Sequence, residues 1–137
     1  MATVVFRNAF VEVNGTNLSD DVESVTLNRG SEMLDETAMG DDTRINKGGL
    51  FTWSMDLNFH QDYAASQVDA TLFSLVGTTT CVEVRPHNTC STTTNPRYTG
   101  IAILESYAPM GGAVGSLLDA PAVFQSAGTL SRAVTAT

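Results

Sequence analysis

The chain is short of cations, of sulfur and of long apolar runs, and each shortage removes a class of function. Lysine and arginine number seven against fifteen aspartates and glutamates, for a net charge of −8. Proteins that grip nucleic acid use cations to displace counterions from phosphates, so phosphate binding is disfavoured, which leaves DNA no role beyond that of a passenger. No stretch approaches the roughly 20 apolar residues that span a bilayer. Met1 to Phe10 also lacks the basic, apolar and small-residue order of an export signal. The expectation is a chain that folds in a cytoplasm, with no membrane partner. Its only cysteines, Cys81 and Cys90, are therefore expected as reduced thiols more readily than as a disulfide. The spacing Cys81, His87, Cys90 matches no zinc pattern and has no fourth local ligand.

What is present describes a folded domain. Apolar residues make up 42% of the 137 and charged ones 16%, far from the composition of a disordered chain. A chain this long buries about two-thirds of its unfolded surface around one core. We expect a single domain over 1–137, with short extensions at 1–8 and 135–137. Turn signals recur between short segments rich in β-branched and aromatic residues, which points to an all-β sandwich or barrel. The clearest strand is Phe51 to Phe59, where Phe51, Trp53, Met55, Leu57 and Phe59 alternate with Thr52, Ser54, Asp56 and Asn58.

Ala9 to Asn14 alternates more loosely and ends at Asn14-Gly15, a dipeptide suited to a tight hairpin turn, with Val22 to Asn28 as the expected partner strand. Further strands are expected at Cys81 to Arg85, closed by Pro86, and at Arg97 to Tyr107, where Gly100 and Ala102 leave room for a close neighbour. Ala122 to Ser126 and Thr129 to Val134 complete the set. One segment breaks the pattern. Val68, Leu72, Leu75 and Val76 share a helical face within Ser66 to Val76, with Ser66 and Asp69 resembling a capping box and Gly77 as the stop.

The search for chemistry returns little. Gly115-Ser116 lacks the flanks of a hydrolase elbow. Gly111 to Ser116 is glycine-rich like a phosphate loop but carries no lysine. No catalytic residue, metal or cofactor is expected. Eight acids, Asp20, Asp21, Glu23, Glu32, Asp35, Glu36, Asp41 and Asp42, crowd one window whose only base is Arg29. They form either a solvated face or a functional acidic surface; calcium-loop spacing is absent among them. The segment Gly30 to Gly49 is long for a connection in a small domain, and Met33, Leu34, Ala38 and Met39 make it partly apolar, as an arm-like loop resting on a neighbouring subunit would be.

Seven blocks in order resemble the major tail tube protein family of siphophages. They are Asn17 to Asp20 leading into Val22 to Leu27; Thr37 to Arg44; the Trp53 strand; Gln61 to Ala65 with Val68 to Leu72; Val82 to Pro86; Asn95 to Gly100; and Pro109 to Gly115. Together they cover roughly residues 10 to 134.

The resemblance implies a non-enzymatic virion protein: a β-sandwich or half-barrel of the tail tube type with a flanking helix near 66–76, related in shape to the tubes of contractile tails and type VI secretion systems. It implies hexameric rings stacked into a hollow tube through which the genome passes, built in the host cytoplasm and carried in the virion tail. Partners implied are further copies of the chain, a tape measure protein, a tail terminator, a distal tail protein, and double-stranded DNA as a non-specific passenger. It also implies that Met33, Leu34, Ala38, Met39, Gly40, Asp41, Asp42 and Arg44 contact the next ring. The eight acids are candidates for a lumen that repels DNA. The rival readings are another ring-forming virion part, a tail terminator or head decoration protein, and a small acidic ligand-binding sandwich.

Overall fold

Period-two alternation makes most of this chain into strands, and where the alternation carries apolar side chains it also decides which face is buried. The computed structural model describes residues 9–89 and 91–134. The extensions expected at 1–8 and 135–137 lie outside the described residues, as does Cys90 and with it the question of its pairing with Cys81. Strand β1 (Phe10–Val13) turns at Asn14 and Gly15, with φ of 51° and 79°, into the two-residue β2 (Thr16–Asn17). Both central residues at positive φ make the mirror-image turn that suits a hairpin.

Val22 to Asn28 is not the partner of β1, contrary to the sequence expectation. The returning strand stops because Asn17 and Ser19 divert it: Ser19 N–H donates to Asn17 Oδ1 (2.9 Å) and Ser19 Oγ accepts from Val11 N–H (2.9 Å). Leu18 turns into the core. A turn of 3₁₀ helix at Ser19–Asp21 then carries the chain across to β3 (Val22–Asp35), which pairs with β4 (Asn46–His60) instead.

After β4 come helix α1 (Val68–Leu72) with a 3₁₀ turn at Phe73–Leu75, then β5 (Thr79–Arg85), β6 (Arg97–Tyr107), β7 (Asp119–Ser126) and β8 (Ser131–Ala133). All the strand pairings are antiparallel, in the order β2-β1-β5-β6-β7-β4-β3, with β8 continuing beside the first residues of β6. This is the expected all-β fold with one added helix. Val11 and Val13 lie near one end of that order and Leu57 and Phe59 near the other, yet they share one buried cluster. The sheet therefore curls around its core, as a half-barrel does.

Trp53, Met55, Leu57 and Phe59 are buried as their alternation predicts, against Phe124 and Ala122 of β7 and Leu104 and Ala102 of β6. Trp53 sets the spacing at one end of this layer. Its Nε1–H donates to Gly128 O (2.8 Å), and its ring lies where a Cβ on Gly100 would stand, 2.7 Å from Cζ2. Here is the close neighbour that Gly100 was expected to admit.

The helix is shorter than its apolar spacing predicts, and the capping box does not form. Ser66 sits at φ 62°, outside the cap conformation, and no side chain caps α1. Asp69 is used differently. Its Oδ1 accepts the Tyr107 hydroxyl (3.0 Å), which in turn accepts Gln61 Nε2 (2.8 Å), tying the helix to the end of β6. Val68 and Leu72 drop into the core from this position. Burial, and then the neighbouring Asp69 carboxylate, push the Tyr107 phenol up to about 12 against the lowering effect of Gln61.

Two outcomes test this account. Gly100→Ala is expected to lower stability by about 1–3 kcal/mol in a denaturant titration, because the added methyl overpacks the Trp53 ring; an unchanged midpoint means the ring is free to move. A tyrosine whose folded pKa lies above its unfolded value favours folding below pH 10, and this contribution disappears as pH rises through about 12. The melting temperature of the wild type should therefore fall over that window more steeply than that of Tyr107→Phe, with one phenol ionising last in an absorbance titration.

Candidate assembly surfaces

Strands β3 and β4 outrun the core. Beyond the Arg29↔Trp53 pair they continue as Ser31↔Phe51, Met33↔Gly48, Leu34↔Lys47 and Asp35↔Asn46, with a bulge between Ser31 and Met33. The arm expected at 30–49 is thus present, but half of it is a two-stranded ribbon and residues 36–45 form the loop at its tip. The sequence hid these strands because neither face of the ribbon is buried, so no apolar alternation marks them.

The tip is cross-tied by its own polar groups. Asp35 accepts Thr37 N–H (2.9 Å) through one carboxylate oxygen and Arg44 Nη1 (2.9 Å) through the other. Thr37 Oγ1 accepts Ile45 N–H (2.7 Å), and Asp41 Oδ2 accepts Ala38 N–H (2.8 Å). The Thr37 hydrogen bonds, with help from Arg44, hold the Asp35 carboxyl below its usual range. Gly40 supplies the positive φ, 98°, that the turn requires. Met39 is left fully exposed at the apex, next to Asp41 and Asp42.

Met33 and Leu34 are likewise exposed on the ribbon. Sequence reasoning missed two companions, Leu50 and Phe51. Phe51 belongs to the apolar face of the alternating run but lies past the end of the core and is 66% exposed, with the Arg29 guanidinium 4.5 Å from its ring centre. Nothing in the alternation itself marks where a core stops. A second apolar set, Met110, Val114 and Leu117, is exposed on the loop between β6 and β7, at the opposite end of the sheet.

The eight acids do not form one surface. Glu32, Asp35, Glu36, Asp41 and Asp42 belong to the arm, whereas Asp20 and Asp21 occupy the 3₁₀ turn before β3 and Glu23 a bulge at the start of that strand. Burial, with the charges of Asp62 and Asp20, raises the Asp21 pKa.

The face of the sheet that turns away from the core has another chemistry. Across β3, β4 and β7 it presents Thr26, Asn28, Ser54, Asp56, Asn58 and Gln125, with Pro121 and Val123 of β7 beside Asn58 and Asp56, and without lysine or arginine. Glu105 of β6 adds a carboxylate, held by Gln125 Nε2 (2.9 Å). Beyond this face β3 is the last strand of the order, so one edge of a 14-residue strand is unpaired among the described residues. Over β1, β5 and β6 the same face holds a shallow groove of about 480 Å³ whose lining, including Glu12, Cys81, Glu83 and Ile101, contains no aromatic side chain.

No protein-family model matches this sequence, and no curated protein does. Solved structures match its fold. The chain is similar to a chain of the SPP1 tail tube, with a TM-score of 0.74 at 10% identity over 97% of this chain and 80% of that one. It is similar to a chain in the tail of the empty gene transfer agent (GTA) particle, refined with C6 symmetry, with a TM-score of 0.69 at 15% identity over 90% and 92% of the two chains. It is also similar to Hcp1 from Flavobacterium johnsoniae, with a TM-score of 0.58 at 13% identity over 96% and 98%. The fold is therefore that of phage tail tube and Hcp proteins, the fold class its sequence blocks resemble.

Proposed function

We propose that this chain is a structural, non-catalytic protein that joins copies of itself into the tube of a long, non-contractile phage tail. The observation that carries this reading is the fold it shares with the SPP1 tail tube chain over nearly all its length. The free edge of β3 fits it physically. An unpaired edge this long is an aggregation hazard in a monomer, and closing copies into a ring pairs it. The C6 symmetry of the GTA tail supports six copies to a ring. Six copies giving four strands each exceed the roughly 16–18 at which a barrel opens into an aqueous channel.

In this reading the polar face of β3, β4, β7 and β6 lines the channel, and DNA slides past Asp56 and Glu105 without adsorbing. Glu23 borders that lining, while the other seven acids sit toward the ends of a ring. The arm reaches the next ring with Met33, Leu34, Ala38, Met39, Gly40, Asp41, Asp42 and Arg44, joined by Leu50 and Phe51. Such a contact is head to tail and propagates without closing. A part that stops at one ring, such as a terminator or decoration protein, leaves these apolar side chains in water. A tape measure protein in the channel, and terminator and distal tail proteins at its ends, complete the assembly in the host cytoplasm.

Electron microscopy of the purified protein, with its assembly partners added where needed, is expected to reveal hollow cylinders of uniform width; a solitary monomer at high concentration overturns the proposal. Replacing residues 31–50 with a short turn should leave folded chains or single rings and no long tubes, so long tubes from this deletion refute the role of the arm. Virions carrying Asp56→Lys and Glu105→Lys should keep normal tubes but eject DNA several-fold more slowly at low salt, where screening over about 8 Å or more is relaxed. Ejection at the normal rate sinks the assignment of that face to the channel.

A further inference from the structure

At the end of the sheet away from the arm, three strands bring three metal-ligating groups together. Glu23 lies at the bulge between Val22 and Ser24 on β3, His60 ends β4, and Asp119 begins β7, directly opposite His60 in register. One ligand atom from each lies within 4.8 Å of the other two. His60 Nδ1 and Asp119 Oδ1 are 3.7 Å apart, too far for a hydrogen bond. Two ligands on a tetrahedral cation with bonds of about 2.0–2.1 Å stand about 3.4 Å apart, a separation these half-exposed side chains reach by small rotations.

The surroundings point the same way. Asn58 Nδ2 donates to Glu23 Oε2 (2.9 Å), the outer contact that fixes a ligating carboxylate. Six buried side-chain polar atoms among the described residues have no hydrogen-bond partner, and three belong to this corner: His60 Nδ1, Asn58 Oδ1 and Asp21 Oδ2. Buried polar atoms without a partner are uncommon, and a cation held between these side chains supplies one for His60 Nδ1. An imidazole favours a transition metal over calcium or magnesium, and two carboxylates neutralise a divalent charge.

We propose that Glu23, His60 and Asp119 form a binding site for one divalent transition-metal cation of the zinc type, with water completing its coordination. The site needs no neighbouring copy, so its test does not depend on tube formation. Zinc is titrated into the full-length Cys81→Ser, Cys90→Ser protein against a chromophoric zinc indicator, which removes both thiols as competing ligands. Saturable binding of one zinc per chain is expected, weakened at least tenfold by His60→Gln, by Glu23→Gln and by Asp119→Asn, with circular dichroism unchanged. Calcium at the same concentration should not compete. Absence of saturable binding overturns the proposal. So does binding that persists at full strength in Glu23→Gln and Asp119→Asn, whose exposed and half-exposed side chains leave the fold intact if His60→Gln does not.

Discussion

One constraint organises this molecule: strands from both ends of the sheet order must bury their apolar faces in the same core. A flat sheet of this order would hold Val11 and Val13 of β1 far from Leu57 and Phe59 of β4, and neither pair would find enough partners to leave water. Curling the sheet brings them together and leaves one side open, which α1 covers with Val68 and Leu72. The Trp53 ring against Gly100 fixes how tightly the layers close at one end, and the Tyr107 hydroxyl on Asp69 fixes the cover at the other. Everything outside this curled core is positioned by it, including the arm, the polar face and the acidic corner.

The arm shows what happens when strands continue and the core does not. Past Trp53 the ribbon of β3 and β4 has only its own backbone pairing to hold it, and an isolated two-stranded hairpin is marginal in water. Its tip compensates with the ties among Asp35, Thr37, Asp41 and Arg44. Polar ties of this kind define a shape without burying anything, so Met33, Met39, Leu50 and Phe51 stay in solvent. Ordered backbone with unburied apolar side chains fits the subunit contact proposed for the arm.

The sequence revealed whichever elements the core touches. The Phe51 to Phe59 alternation, the strands at Cys81 to Arg85 and Arg97 to Tyr107, and the small residue at Gly100 were all legible because burial imposes a period or a size. It misled where burial is absent or where a local polar bond competes. The ribbon strands of the arm carry no alternation, Ser66 looked like a helix cap but takes a left-handed turn, and Ser19 ends β2 before Val22 can be reached as a partner of β1. Phe51 is the instructive case, since alternation assigns its face correctly and says nothing about where the core ends. The trio of Glu23, His60 and Asp119 was illegible for a different reason: residues far apart in the chain meet only through strand order and register.

Charge decides the conditions under which copies of this chain can meet. Self-repulsion from a net charge of −8 keeps separate chains soluble but opposes their association. The acids stand mostly toward the two ends of β3, so in the proposed tube head-to-tail stacking would bring one acidic end toward another. Two features of the structure reduce that opposition. Asp35 is already paired with Arg44 at the tip, and the apolar side chains of the arm stand beside Asp41 and Asp42, so burying them sets a short-range attraction against a repulsion screened within about 8 Å. The attraction grows with contact area while the repulsion weakens with salt. In the proposed assembly, association of this surface is therefore governed by how much of Met33, Leu34, Met39, Leu50 and Phe51 a neighbour covers, with ionic conditions setting the threshold.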